Sequence, residues 1–281
     1  MPSLRVATLN IWNKSGPWVK RAALIREQLA SLSPDIVGLQ EVLQMESGGQ
    51  IQDQVTELSG DYEWCFGMGH IMKGSWAKVG STLRFGNALL SRYPILRHEA
   101  IPLPGDDISD QKRSVLHAVV DAPFGHVHVF VTHLNWKLDE GHVRELQVQA
   151  IADLVADRCA DVDFPPLLMG DMNAVPESDE IRFLKGYTRL GRDRSVHFAD
   201  AWDYVPGSDP GRTFDARVNG FSASYEEPPR RIDYVFVRPP FVHGRGRPVE
   251  VGLAFHAPAA SDPELHCSDH FGVYADLHLP D

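Results

Sequence analysis

The stretch LRVATLNIWNKSGPWVKRAALIREQLASLSPDIVGLQE, residues 4–41, sets the reading of the whole chain. It opens on an apolar run, Leu4 to Leu9, that stops at Asn10. Val19, Ala22, Ala23, Ile25, Leu29 and Leu32 then fall on one face at helical spacing, and Pro34 ends that segment. Ile36-Val37-Gly38-Leu39 follows as a short buried strand ending in Gln40-Glu41. A strand, a helix and a strand, with polar side chains where each strand stops, predict a sheet covered by helices.

The rest of the chain continues this alternation. A helix is expected over Gln50–Leu58, and a strand over Asn87–Ser91 closed by the turn Arg92-Tyr93-Pro94. Val115–Val120 and Val127–Thr132 read as neighbouring strands around Pro123-Phe124-Gly125. His142–Ala156 reads as a helix with Val143, Leu146, Ala150, Ile151 and Leu154 inward. Further strands are expected at Leu167–Met169, Ile232–Val237, Val249–Phe255 and Phe271–Leu277. There is no internal repeat and no low-complexity linker, so residues 1–281 are read as one α/β domain. Lys73–Gly86, Gly105–Lys112 and Val205–Pro229 are the loosest stretches, and long loops of that kind serve as lids or binding loops.

Composition narrows the class. With 27 Lys+Arg against 38 Asp+Glu, the 281-residue chain carries a formal charge of 27 − 38 = −11. Hydrophobic residues at 43% and charged residues at 23% exclude a disordered, fibrous or disulfide-framework protein. No apolar run approaches the roughly 18 residues of a membrane span. The negative charge disfavours a protein that coats duplex nucleic acid, but not one that takes a phosphate through a metal. Cys65, Cys159 and Cys267 are odd in number and far apart. They read as reduced thiols in a cytoplasmic protein, consistent with an N-terminus that enters a strand with no leader.

The chemistry gathers where strands stop or start. Asn10, Gln40-Glu41, Thr132-His133-Leu134-Asn135 and Gly170-Asp171-Met172-Asn173 each follow an apolar run; Arg231-Ile232-Asp233-Tyr234 and Ser268-Asp269-His270 each precede one. Side chains two apart on extended backbone share a face, so Asp171 can meet Asn173 and His133 can meet Asn135. One acid after a strand is usually a turn or cap residue. Several such segments together supply carboxylates, amides and two histidines without thiolates, a donor set for Mg²⁺ or Mn²⁺ and phosphoryl chemistry.

These segments, with Ala7-Thr8-Leu9-Asn10, Asp35 to Val42 and Asn87 to Ile95, resemble the endonuclease/exonuclease/phosphatase superfamily, also called the deoxyribonuclease I-like fold. The order matches from residue 4 to about residue 279. The resemblance implies a four-layer α/β/β/α sandwich, two packed mixed sheets flanked by helices, and metal-dependent hydrolysis of phosphate esters. It implies Glu41 as main metal ligand, with Asn10 and Asp269 beside it. His133 is implied to contact the scissile phosphate, Asp171 to orient or deprotonate water, Asn173 to hold a phosphate oxygen, and Asp233 to orient His270. Trp12 stands where abasic-site endonucleases carry an acid, and their catalytic tyrosine has no clear counterpart. Asn10-Ile11-Trp12 and Thr132-His133-Leu134 are also similar to neutral sphingomyelinases.

Two versions of the chemistry remain open on the sequence: His270 held by Asp233 as base, or Asp171 as base with a protonated His270 on the phosphate. Arg113 reads equally as a bidentate phosphate clamp or a surface salt bridge. Arg144 and Arg92 read as scaffold contacts, and His126 and His128 as one exposed strand face. Trp12 and Trp136 either shape the pocket or pack. The expected partner is a small or lipid-derived phosphate ester. DNA or RNA is the alternative substrate, and a silent binding module, which would have lost Glu41, Asp171 or His270, is the alternative class. A zinc peptidase is disfavoured, because there is no His-Glu-x-x-His.

Overall fold

A computed structural model describes residues 2–72, 81–160, 162–193, 195–205, 207 and 209–280. In chain order the elements are β1 (Ser3–Asn10), α1 (Trp18–Leu32), β2 (Ile36–Ser47), β3 (Gln50–Asp53), α2 (Gln54–Ser59), β4 (Glu63–Met72) and β5 (Ser81–Ser91). They continue with β6 (Ile95–Pro102), β7 (Ser114–Ala122), β8 (Gly125–His133), α3 (Gly141–Arg158), β9 (Leu167–Asp171) and α4 (Asp179–Leu184). The last are β10 (Ala199–Asp200), α5 (Ala201–Tyr204), β11 (Asp233–Val237), β12 (Pro248–Ala254) and β13 (Gly272–His278).

The strands form two mixed sheets. One runs β12-β13-β1-β2-β5-β4 with β3 paired to β2, and the other runs β10-β11-β9-β8-β7-β6. β1–β2 and β8–β9 are parallel pairs; the other neighbours are antiparallel. Alternation along the strands fills three apolar layers. Val6, Ile36, Leu89, Ala118, Val129, Val131 and Met169 meet between the sheets. Ala7, Leu9, Val37 and Leu39 point outward onto Ala22, Ile25 and Leu29 of α1. Val115, Phe130, Leu168 and Phe236 point onto Val148, Ile151 and Val155 of α3. Residues buried in this way on both faces explain why these strands read as near-continuous apolar runs. The result is the expected sandwich, helix on sheet on sheet on helix. Among the described residues no helix is long and apolar enough to cross a membrane.

Registry places the chemistry. His133 lies beside Asp171 in the β8–β9 pair, and Asp171 lies opposite Asp233 in the β9–β11 pair. In the other sheet Asn10 lies beside Gln40. A register break between Leu39 and Val42 puts Glu41 at a bulge with φ 59°, which turns its side chain out of the alternating pattern. Gly170 sits at φ 142°, and a Cβ there would lie 1.9 Å from the Thr132 carbonyl oxygen. β8 and β9 therefore approach at a distance only glycine permits. Gly170→Ala is expected to cost on the order of 3 kcal/mol or more, read as a lower urea midpoint; an unchanged midpoint would refute this account of the strand pair.

Several expected boundaries move. Gln50–Leu58 is not one helix. The turn at Gly48-Gly49 returns β3 against β2, and the helix starts only where Asp53 Oδ1 accepts from the Val55 amide at 2.8 Å. Within the expected loop Lys73–Gly86, residues 73–80 lie outside the described residues, and 81–86 belong to β5. β4 and β6 carry no sequence-predicted counterpart; β6 is largely exposed along its length. Both long helices bury part of the expected face, Ala22, Ile25 and Leu29 in α1 and Val143 and Ile151 in α3, and differ at the rest. Val19 and Ala23 are exposed while Trp18, Arg21 and Ala22 are buried. In α3, Leu146 is exposed while Arg144, Gln147 and Val148 are buried. In each case a buried polar side chain occupies the inner face, which counting apolar residues alone assigns outward. His126 is exposed, but His128 is buried beneath α3, so the two do not share one exposed face. The three cysteines are free and buried.

Candidate active site

The ends of β1, β8 and β9, the bulge within β2, the start of β11 and the segment before β13 meet around a cleft of about 240 Å³. Its lining includes Glu41, His133, Asp171, Asn173, Asp269 and His270, with Trp136, Phe214, Glu227, Arg230 and Ile232 around them.

Asp171 is the hub. Its Oδ1 accepts the Asn173 amide at 2.8 Å, possible because Asn173 takes φ 50°. Its Oδ2 accepts from Asn10 Nδ2 at 3.0 Å and lies 3.5 Å from His133 Nε2 and 3.8 Å from His270 Nε2. Asp171 is 1% exposed. Burial and the neighbouring Asp233 raise its carboxyl to about 6, against the opposing pull of His270 and its hydrogen-bond donors.

His270 Nδ1 lies 2.9 Å from Asp233 Oδ2, and Thr213 Oγ1 accepts from the Ile232 and Asp233 amides, fixing the start of β11. Burial opposes a charge on His270, but Asp233, Asp171 and Asp269 outweigh it, so its imidazolium persists well above the ordinary histidine range. His133 goes the other way. Burial and then Arg113 and His270 push its pKa well below the usual value. Arg113 Nη1 lies 3.3 Å from His133 Nδ1. A guanidinium has no lone pair to offer, so Nδ1 must be the acceptor, and neutral His133 carries its hydrogen on Nε2, facing Asp171.

Glu41 accepts from Asn10 Nδ2 at 3.3 Å and from Asn13 Nδ2 at 2.8 Å. Asp269, bonded to the Ser268 hydroxyl at 3.1 Å, is raised to about 7 by burial and by the charge of Glu41, against His270. A buried carboxyl whose charge is disfavoured by a half-buried neighbour, Glu41, is suited with it to a shared hard cation, and their all-oxygen chemistry fits Mg²⁺ or Mn²⁺. Asp171, Asp233 and His270 also place donor atoms within 4.8 Å of one another. A charged imidazolium on Asp233 favours the Glu41–Asp269 side for the ion.

Three expected site residues sit differently. Asn10 offers its amide hydrogens to both carboxylates, while its Oδ1 accepts from the Trp12 amide at 2.9 Å. It therefore presents a donor here rather than a ligand oxygen. Asn135 is fully buried. Its Nδ2 bonds Ser109 at 3.1 Å and Glu140 at 2.6 Å, and its Oδ1 accepts from Lys137. The bend after His133 carries it away from the cleft, where it pins the loop at 105–112. Arg113 is neither clamp nor surface ion pair; it is buried behind His133. Arg144 and Arg92 are scaffold contacts as expected, Arg144 to Glu180 and to the carbonyls of Asn135 and Lys137, Arg92 to Pro34 and Ser33. Trp136 lines the cleft and remains 48% exposed, while Trp12 stacks near Phe221 and Arg21.

The structure adds Asn13 and Arg21. Arg21 is fully buried and donates to the carbonyls of Ile11, Trp12, Asn13, Ser15 and Cys267. It ties the segment after Asn10 to the segment before Asp269. Asn13, three residues after Asn10, was visible as a second amide; Arg21 carried no sequence signal beyond its place on a helix.

The family model for the Endonuclease/Exonuclease/phosphatase family matches residues 7–270. The chain belongs to this family. Its members hydrolyse phosphate esters and typically use divalent metals. The chain is 30% identical over 179 residues to YbhP of Escherichia coli K12, an uncharacterised protein, covering 61% of this chain and 67% of that one. An endonuclease/exonuclease/phosphatase structure from Beutenbergia cavernae superposes with a TM-score of 0.71 at 28% identity, over 99% of this chain and 72% of that chain. Danio rerio TDP2 complexed with single-strand DNA product shares the fold, with a TM-score of 0.74 at 18% identity over 99% and 100% of the two chains.

Proposed function

We propose that this family member hydrolyses a small or lipid-derived phosphate ester, with Asp171 as general base. The observation that carries the base assignment is the pair of histidines around it. His133 has its Nδ1 lone pair on Arg113, and His270 is held charged by Asp233, so both present N–H groups and Asp171 presents the acceptor. In this reading water gives its proton to Asp171 Oδ2 as its oxygen attacks phosphorus and the ester oxygen departs. His133 and His270 donate to the non-bridging oxygens, with Asn173 beside them. Glu41 and Asp269 would hold the divalent cation, which supplies charge neutralisation on the phosphate when bound.

The substrate class follows from the walls. Trp136, Phe214 and Ile232 are apolar, and the lining arginine, Arg230, pairs with Glu227. A small cleft whose arginine, among the described residues, is already neutralised suits one phosphate with a compact apolar or aromatic neighbour better than a phosphate backbone, which asks for several Lys or Arg. A panel of small diesters, a monoester, sphingomyelin, inositol phosphates, RNA, plasmid and abasic DNA with Mg²⁺, Mn²⁺ or EDTA tests this. The expected result is a higher kcat/KM on small or lipid esters, with metal required. DNA cleavage that falls steeply between about 50 and 200 mM salt, with no turnover of small diesters, would establish the nuclease reading instead.

The dyad gives a sharper test. If Asp233 acts only by holding His270, Asp233→Asn in a His270→Ala background is expected to cost far less than in the wild type. Losses that add fully would separate the two roles.

A further inference from the structure

The segment that leaves β8 presents Trp136 on the wall of the cleft, three residues beyond His133. Both of its neighbours are held fast. Asn135 is fully buried; its backbone N–H donates to Gln147 Oε1 at 3.0 Å, and its Nδ2 to Ser109 and Glu140. Lys137 donates its backbone N–H to Asn135 Oδ1 at 2.9 Å, and its ammonium reaches Asp110 at 2.8 Å and Glu140 at 3.2 Å. Arg144 Nη1 donates to the carbonyls of both neighbours, at 3.2 and 2.7 Å. Trp136 itself is anchored at one edge of its ring, where Nε1 donates to Gln111 Oε1 at 3.0 Å. Its faces are open. The residue is 48% exposed, and among the described residues no ring or cation stacks on it. Trp12, Trp18 and Trp202, by contrast, each carry an aromatic ring or a guanidinium over the indole.

We infer that Trp136 is a specificity-determining residue: it stacks on a planar aromatic group carried by the phosphate ester, so the substrates of this cleft have an aryl or nucleobase ring close to phosphorus. The inference rests on the reading of the cleft as a hydrolytic site for a small ester, and narrows it. The lining favours a plane over a cation. A quaternary ammonium is enclosed by several aromatic faces. Here Phe214 is 4% exposed, with its ring edge-on to His270 at 5.1 Å and the Arg230 guanidinium 5.5 Å over it. Trp136 therefore offers a single flat face where a cage would need several. A second anionic group on the substrate has little to meet, because Lys137 is engaged by Asp110 and Glu140, and Arg230 by Glu227. That leaves a neutral group, recognised by shape and by its π face. An aliphatic ring of equal size covers the same indole surface but lacks the offset-stacked contact, so planarity sets the preference beyond area. The anchors on both sides add to it: a ring fixed before the ligand arrives loses little freedom on binding.

The test uses the whole chain with Mg²⁺ and reads binding without turnover, by isothermal titration with the methyl esters of phenylphosphonate, cyclohexylphosphonate and thymidine 5′-phosphate. All three are monoanions with a poor leaving group, and the first two differ in whether the ring is planar. The phenyl ester is expected to bind about five- to tenfold tighter than the cyclohexyl ester. Trp136→Leu keeps an apolar side chain and removes the π face; it is expected to bring the two Kd values to within about twofold of each other, while Trp136→Phe keeps a preference of about threefold or more. The wild-type preference and Trp136→Phe decide the matter should Trp136→Leu fail to fold. The thymidine ester separates the two sources of a ring. A loss on Trp136→Leu that is larger for the thymidine ester assigns a nucleobase, and one that is larger for the phenyl ester assigns an aryl group; either supports stacking. Equal wild-type affinities for the phenyl and cyclohexyl esters, no measurable binding of any of the three, or a planar preference that survives Trp136→Leu would overturn the assignment. Failure of the hydrolytic reading is a different result: planar rings preferred in binding while no small ester is turned over.

Discussion

Asp171→Asn is expected to lower kcat/KM by about 10⁴-fold, some 5 kcal/mol of barrier, while the protein stays folded. The substitution keeps shape and removes the acceptor on which the proposed site converges. Asn10 Nδ2, His133 Nε2 and His270 Nε2 all face Asp171 Oδ2, and an amide placed there would turn either a neutral oxygen or a nitrogen toward them. The same assignment sets the sign of the pH dependence. A base must be unprotonated to act, so wild-type kcat/KM is expected to rise through pH about 6, where burial and Asp233 place the Asp171 carboxyl. At higher pH the charge on His270 is lost, and the rate is expected to fall again. A steady-state profile on the best small ester checks both limbs. An Asp171→Asn enzyme within tenfold of wild type would transfer the base role elsewhere, His270 first.

The layout of the sandwich was legible because the central strands are buried on both faces. Leu4–Leu9, Val127–Val131 and Leu167–Met169 announce themselves by composition alone, and the polar residues at their ends mark where the cleft must lie. What escaped the sequence was decided by contacts between segments. β6 is an exposed edge strand with no apolar run to reveal it. The inward faces of α1 and α3 include Arg21, Arg144 and Gln147, whose burial depends on a backbone carbonyl, a side chain and a backbone amide from other segments. Asn135 shares the strand-end motif with His133, yet the chain leaves the sheet between them and the amide turns to Ser109 and Glu140. Arg113 shows the reverse. Its place before β7 was readable, but its position behind His133 comes from the β7–β8 pairing of Val115 with Thr132. That contact fixes the His133 tautomer, which no motif encodes.

Glu41→Gln is expected to lower kcat/KM at least a hundredfold, about 2.7 kcal/mol of barrier, and to raise the Mg²⁺ or Mn²⁺ concentration for half-maximal rate by a similar factor. Glu41 sits at the β2 bulge with φ 59°, so its carboxylate leaves the sheet toward Asp269 instead of entering the core. Its oxygens already take hydrogen bonds from Asn10 and Asn13, which orient the group without neutralising it. Glutamine keeps the length of the side chain but removes the negative charge that a hard cation requires. Without added metal the variant has one buried repulsion fewer, because the charge of Glu41 helps to hold the Asp269 carboxyl at about 7. The Asp269 titration should accordingly move down, and the metal-free melting temperature should hold or rise. That combination separates loss of the cation from loss of the fold. Isothermal titration with Mn²⁺, thermal melts with and without EDTA, and the ester assay read the three quantities independently. Activity that survives both the substitution and EDTA would remove the cation from the mechanism and leave Asp171, His133 and His270 to carry the reaction alone.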